Sequence, residues 1–183
     1  YKRQTSDDIY TIKNIHSIDL SSSAKKITYI ETFANRKNDV YENSLWLYDI
    51  ERKNSKKLIK NIKSISAPQF SPNEKYIAYI SSGKNKYKSN SQLWLINLKT
   101  ARKRQLTKIQ NDVTDFQWSP DGEKIAIVVH HKKVDIKGTK PPIVVDRYQF
   151  KKDGYDFIES ENQHIHIMYC LLYTSPSPRD VLR

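Results

Sequence analysis

Short runs of β-forming residues, each closed by a polar turn, follow one another along this chain. Lys124-Ile-Ala-Ile-Val-Val129 and Leu45-Trp-Leu-Tyr-Asp-Ile50 are two of them, and such β-branched and aromatic residues suit a pleated, half-buried surface. Apolar residues spaced by three and four are not sustained over helical lengths. The pattern therefore predicts strands and hairpins.

The runs recur. Asp19-Leu-Ser-Ser-Ser-Ala-Lys-Lys-Ile-Thr-Tyr29 aligns with Gln69-Phe-Ser-Pro-Asn-Glu-Lys-Tyr-Ile-Ala-Tyr79 and with Gln117-Trp-Ser-Pro-Asp-Gly-Glu-Lys-Ile-Ala-Ile127, at offsets of 50 and 48 residues. Leu20, Phe70 and Trp118 share one position, and Ile27, Ile77 and Ile125 another. Leu45-Trp-Leu-Tyr-Asp-Ile50 matches Leu93-Trp-Leu-Ile-Asn-Leu98, again 48 residues on, and His164-Ile-His-Ile167 is a weaker third copy behind a longer insertion. Ser-Pro-Asp-Gly at 119–122 reads as a turn, because Pro presets φ and Gly accepts φ > 0 at no steric cost. A short strand closes each copy, Lys57-Leu-Ile59 in the first and Arg104-Gln-Leu-Thr107 in the second.

Four short strands per copy make the blade of a β-propeller. The expected fold is all-β, a partial β-propeller of about three four-stranded blades over residues 10–62, 63–110 and 111–168, within a unit spanning 1–168. A β-sandwich would leave the period unexplained. Propellers close with four to eight blades. Three leave raw ends, so the isolated chain is expected to be unstable or to aggregate.

From about Tyr169 the composition changes. Residues 169–183 bring the single cysteine and two Ser-Pro steps, and 170–180 resemble translated adapter sequence. This tail is expected to be foreign to the propeller, the alternative being a native Pro-rich linker. The chain opens on Tyr1, so a truncated N-terminus is expected and the sequence assigns no compartment, cytoplasmic or periplasmic. Cys170 alone cannot form an intrachain disulfide.

The 183 residues carry a formal charge of +12. The basic residues are scattered through turn-like segments such as Lys56-Lys57, Arg102-Lys103-Arg104 and Lys132-Lys133, without a nucleic-acid motif, so nucleic acid is not expected as a partner. No apolar run is long enough for a membrane span.

The repeats resemble those of TolB-like propellers and of the propeller in prolyl oligopeptidase-family serine peptidases. A more specific segment is Lys140-Pro-Pro-Ile-Val-Val-Asp-Arg-Tyr-Gln-Phe-Lys-Lys-Asp-Gly154, followed by Tyr155-Asp-Phe157 and His164-Ile-His-Ile167. It resembles acylaminoacyl-peptidase and dipeptidyl-aminopeptidase-like members of that peptidase family. The resemblance covers about residues 10–168. It implies an N-terminal propeller that restricts access of peptide substrates to a C-terminal α/β-hydrolase domain bearing a Ser-Asp-His triad. The other function class is a TolB-like propeller that docks protein partners.

No catalytic, cofactor-binding or metal-binding residue is assigned. Gly83, Gly122, Gly138 and Gly154 are the only glycines, and none lies in the G-x-S-x-G that holds such a serine. His130 and His131 end a strand on opposite faces. His164 and His166 share a face, a conceivable H-x-H pair for a metal, but lack a third ligand at useful spacing. They read better as ordinary strand residues. Glu159 and Glu161 fit a solvated turn better than a clamp for a peptide ammonium group. Asp146 and Arg147, adjacent in a strand, are expected to find different structural partners. No cofactor is implied.

Overall fold

A computed structural model describes residues 5–82, 90–131, 151–152, 155–157 and 162–170. A short 3-10 helix (Ser6–Thr11) leads into the first sheet, β1 (Lys13–Leu20), β2 (Lys26–Asn35), β3 (Val40–Asp49) and β4 (Asn54–Ile62). The second holds β5 (Ser66–Phe70), β6 (Tyr76–Ser82), β7 (Ser91–Asn97) and β8 (Lys103–Gln105). In both, the strands pair in chain order as antiparallel meanders. The third repeat provides β9 (Asp112–Trp118) and β10 (Lys124–His131), then β13 (Asn162–Tyr169), in the order β9-β10-β13. Between them a separate two-stranded ladder joins β11 (Lys151–Lys152) and β12 (Tyr155–Phe157). The first two repeats thus have the four strands expected of a blade, and the third shows three among the described residues.

The shared turn has a common cause. Ser21, Ser71 and Ser119 each accept, on the side-chain hydroxyl, the backbone N–H five residues on, from Lys26 (3.1 Å), Tyr76 (3.1 Å) and Lys124 (2.9 Å). The third residue after each serine is left-handed, at φ 55° in Ala24, 54° in Glu74 and 72° in Gly122. Only one of the three is glycine. The serine hydroxyl, rather than the glycine, is what the three turns share.

The faces of the sheets make the core. Alternate residues on each strand point to opposite faces, and each interface takes the forward face of one sheet and the back face of the next. Ile30 and Leu45 of the first sheet meet Phe70, Ile77, Tyr79 and Ile96 of the second. Ala78, Ile80, Leu93 and Leu95 of the second meet Val113, Phe116, Trp118, Ile125, Ile127 and Val129 of the third. The core is thus two successive layers between three stacked sheets, as neighbouring blades require.

The pairing also fixes the third copy. Leu45, Leu93 and Ile165 lie opposite Ile30, Ile80 and Val128 respectively. The matching copy is therefore Ile165-His166-Ile167, one residue later than His164, and His166 stands where the first two sheets have Trp46 and Trp94. That single residue decides the face each side chain occupies. The strand runs on to Tyr169, and the following Cys170 is buried in the layer between the second and third sheets, its N–H donating to the Glu123 carbonyl at 2.6 Å. Residues 171–183 lie outside the described residues.

Candidate functional site

The first strands of the three sheets run beside one open cleft of about 730 Å³, lined by Asp19, Leu20, Gln69, Phe70, Gln117 and Trp118 among others. Asp19, Gln69 and Gln117 are one repeat position, and the first two act across sheets. The Phe70 N–H donates to Asp19 Oδ2 at 2.7 Å, and Gln69 Nε2 donates to the Phe116 carbonyl at 3.1 Å. Each side chain reaches the backbone of the next sheet's first strand. Two polar side chains of the cleft wall, those of Asp19 and Gln69, are therefore engaged in holding sheets together.

The turns beside it touch as well. Glu74 accepts the backbone N–H of Ser23 at 2.5 Å and its hydroxyl at 3.0 Å. Asp121 accepts from the Ser119 hydroxyl and the Glu123 N–H, and these bonds hold its carboxyl below the ordinary value.

A second cluster was not foreseen from the sequence. In β1 the ladder is interrupted between His16 and Asp19, and Ser17 sits at φ 52°. The kink lets two adjacent side chains meet, with Ser17 Oγ 3.0 Å from His16 Nδ1. Thr32 donates to Asn43 Oδ1 at 2.5 Å, and its oxygen lies 2.9 Å from His16 Nε2. With its hydroxyl proton given to Asn43, the Thr32 oxygen accepts from His16 Nε2. Asn43 passes the chain on to the Lys63 carbonyl at 3.0 Å. A serine, a histidine and a neutral orienting group are the parts of a nucleophile pair. Here no carboxylate belongs to the series, and it ends on a backbone carbonyl in the linker to the second sheet. Its evident work is to order the irregular strand. No sequence signal announces it, since it depends on a bulge.

The histidines flagged from the sequence fall on the third sheet. His164 and His166 lie opposite Val129 and Ile127 on one face, whereas His130 lies opposite Gln163 on the other. His131 ends β10. Among the described residues no group of three or more His, Cys, Asp and Glu side chains converges in a way that could hold a metal ion. Asp146, Arg147, Glu159 and Glu161 lie outside the described residues. Among the described residues no helix is long and apolar enough to cross a membrane.

Burial also perturbs two groups in the layers. It pushes the Cys170 thiol up to about 11, opposed weakly by the Arg104 charge, and raises the Tyr79 phenol well above its usual range.

No protein-family model matches the chain. The uncharacterized peptidase YuxL of Bacillus subtilis is 25% identical over 158 residues, which are 82% of this chain and 24% of that protein. The acylaminoacyl peptidase of Pyrococcus horikoshii superposes on 88% of this chain and 24% of its own, with a TM-score of 0.69 and 20% identity. The β-propeller domain of the Trilobed protease from Pyrococcus furiosus superposes on 63% of this chain and 33% of its own, with a TM-score of 0.53 and 23% identity. The chain thus spans about a quarter of the length of the curated relative. These likenesses bear out the propeller fold and the resemblance, read from the repeats, to the propeller part of prolyl oligopeptidase-family peptidases.

Proposed function

We propose that this chain is part of the propeller of a serine peptidase, and that its role is to restrict which peptides reach an α/β-hydrolase domain elsewhere in the same protein. The observation that carries this reading is the likeness to peptidases over more than four-fifths of the chain, in sequence to YuxL and in fold to the P. horikoshii enzyme. Two features support it. The repeats supply stacked sheets with a cleft along their first strands, a framework beside which a substrate passage can run. And the glycines of this chain offer no G-x-S-x-G, so the nucleophile would come from another part of the protein.

The test has two arms. The genomic reading frame that continues from Met168 should encode further blades and then G-x-S-x-G. The full-length product should cleave short acyl-aminoacyl chromogenic substrates, be blocked by a serine-directed fluorophosphonate and leave folded proteins intact, while the 183-residue chain alone shows no turnover. A frame that stops after further blades without that motif would favour the protein-docking class instead.

A further inference from the structure

The outer margins of the first two sheets carry charge of one sign. The first strands, β1 and β5, pack side by side, which leaves the last strands, β4 and β8, at the outer edges of their sheets. Arg52 and Lys53 in the turn before β4, Lys56 and Lys60 on it and Lys63 just after it are all exposed. Around β8 the exposed cations are Lys99, Arg102, Lys103 and Lys108. The sequence has no Asp or Glu between Glu51 and Glu74, nor between Glu74 and Asp112. The ion pairs among the described residues engage other cations, Lys13, Lys25, Arg36 and Lys57. Cations scattered along the sequence thus become one belt in the fold. Further blades would stack on the faces of these sheets and leave their outer edges as they are, so the belt does not depend on how many blades there are.

The repeat does not account for the belt. At the offset of 48, Arg52 and Lys53 correspond to Thr100 and Ala101, and Lys99 to Glu51. The positive margin recurs while the residues that make it do not. Lysines on an edge strand also keep it from pairing with other strands, which accounts for Lys56 and Lys60. Edge protection explains neither the turn cations nor the want of acids, since solubility is served by both signs interspersed.

We propose that this belt seats the protein on the surface of an anionic lipid bilayer. Lysine charges are compact and strongly hydrated, and a row of them spread over two sheet margins suits an array of headgroups, each adding to the attraction. Ile50 is 37% exposed in the same turn as Arg52 and gives the belt an apolar point for the headgroup boundary. Single-stranded nucleic acid would call for exposed aromatic rings on which bases stack. The exposed aromatics among the described residues, Tyr41 and Tyr169, lie instead at the far end of β3 and on β13. The inference does not rest on the peptidase reading, because vesicle binding is measured without turnover.

Co-sedimentation of the full-length protein with vesicles tests it. The protein is expected to bind vesicles of about one-third phosphatidylglycerol and not pure phosphatidylcholine, with binding that weakens as salt shortens the screening length. Two variants remove four positive charges each. Lys53, Lys56, Lys60 and Lys63→Gln, on the belt, is expected to weaken binding at least about tenfold. Lys26, Lys37, Lys75 and Lys124→Gln, away from it, is expected to change binding by less than about threefold. Acetylation of the wild type by a soluble reagent supplies a readout of place that needs no variant, and vesicles are expected to protect the belt lysines selectively. Absence of binding to the anionic vesicles overturns the proposal. So do equal losses in the two variants, or protection spread evenly over all lysines, either of which reports net charge alone. Tighter binding to DNA than to the vesicles at the same salt, lost in the belt variant, overturns it in favour of nucleic acid.

Discussion

Replacing Gln92 by leucine should cost about 3 kcal/mol, far more than an ordinary polar substitution at a strand end. One carboxamide makes four hydrogen bonds. Its Nε2 donates to the carbonyls of Ile109 and Asn111, both at 3.1 Å, and its Oε1 accepts from the Thr107 hydroxyl at 2.9 Å and the Ile109 N–H at 3.0 Å. Gln92 and Thr107 are both buried, at 5% exposed, and the Thr107 hydroxyl in turn accepts the Leu93 N–H at 2.9 Å. A hydrogen bond contributes roughly 0.5–1.5 kcal/mol net, and an orphaned buried group costs about 1–3 kcal/mol. Water can reach Ile109 and Asn111, which are half-buried, so part of the loss is recovered and about 2–4 kcal/mol remains. Gln105 provides the control, because its side chain makes one bond, to the Thr107 carbonyl at 2.8 Å. Gln105→Leu should cost no more than about 1 kcal/mol. Urea unfolding followed by tryptophan fluorescence at one fixed protein concentration measures both, and hydrogen exchange over 106–113 localises the effect. The reasoning fails if Gln92→Leu costs less than about 0.5 kcal/mol, or if exchange over 107–111 is unchanged.

Other consequences are open to direct measurement. Leu93→Ala should destabilise by about 2–5 kcal/mol in urea, as expected for a large aliphatic side chain removed from between packed sheets. Ala24→Gly should stabilise by about 0.5–1 kcal/mol, because an alanine at φ 55° is replaced by the residue that adopts this conformation freely. Gly122→Ala should cost about 1 kcal/mol for the same reason, with no steric addition, since a Cβ there would meet Pro72 only at 3.5 Å. Cys170 should react slowly with a soluble disulfide reagent at pH 8. Its thiol titrates from 9.0 unfolded to about 11 folded. Between those values the folded chain holds a proton the unfolded chain has lost, so this contribution to stability falls as the pH rises through the window. Fast labelling at pH 8 would show that the thiol is not buried.

The repeats were legible because they rest on local chemistry. The positions of Leu20, Phe70 and Trp118, the turn serines and the Leu-Trp-Leu strands recur at fixed spacing, and each has a local physical reason. What the sequence did not expose depends on where strands pair. The slip of one residue that puts Ile165 rather than His164 at the Leu93 position is set by the ladder with β10. The His16–Ser17 contact requires a bulge. The reach of Asp19 and Gln69 to the next sheet is long-range, as is the Gln92 network, and neither side chain differs in type from a solvated turn residue.

Asp19 and Gln69 hold the next sheet by its peptide groups, the N–H of Phe70 and the C=O of Phe116. Every residue but proline carries both groups, so the grip is indifferent to what side chains the neighbour bears. A blade copied within a gene would find its neighbours already able to hold it. Its own sequence could then drift, constrained by the alternation of apolar positions and by the serine of its turn. Such a fastening lets a repeat protein change its blades one at a time without first having to re-invent the joints between them.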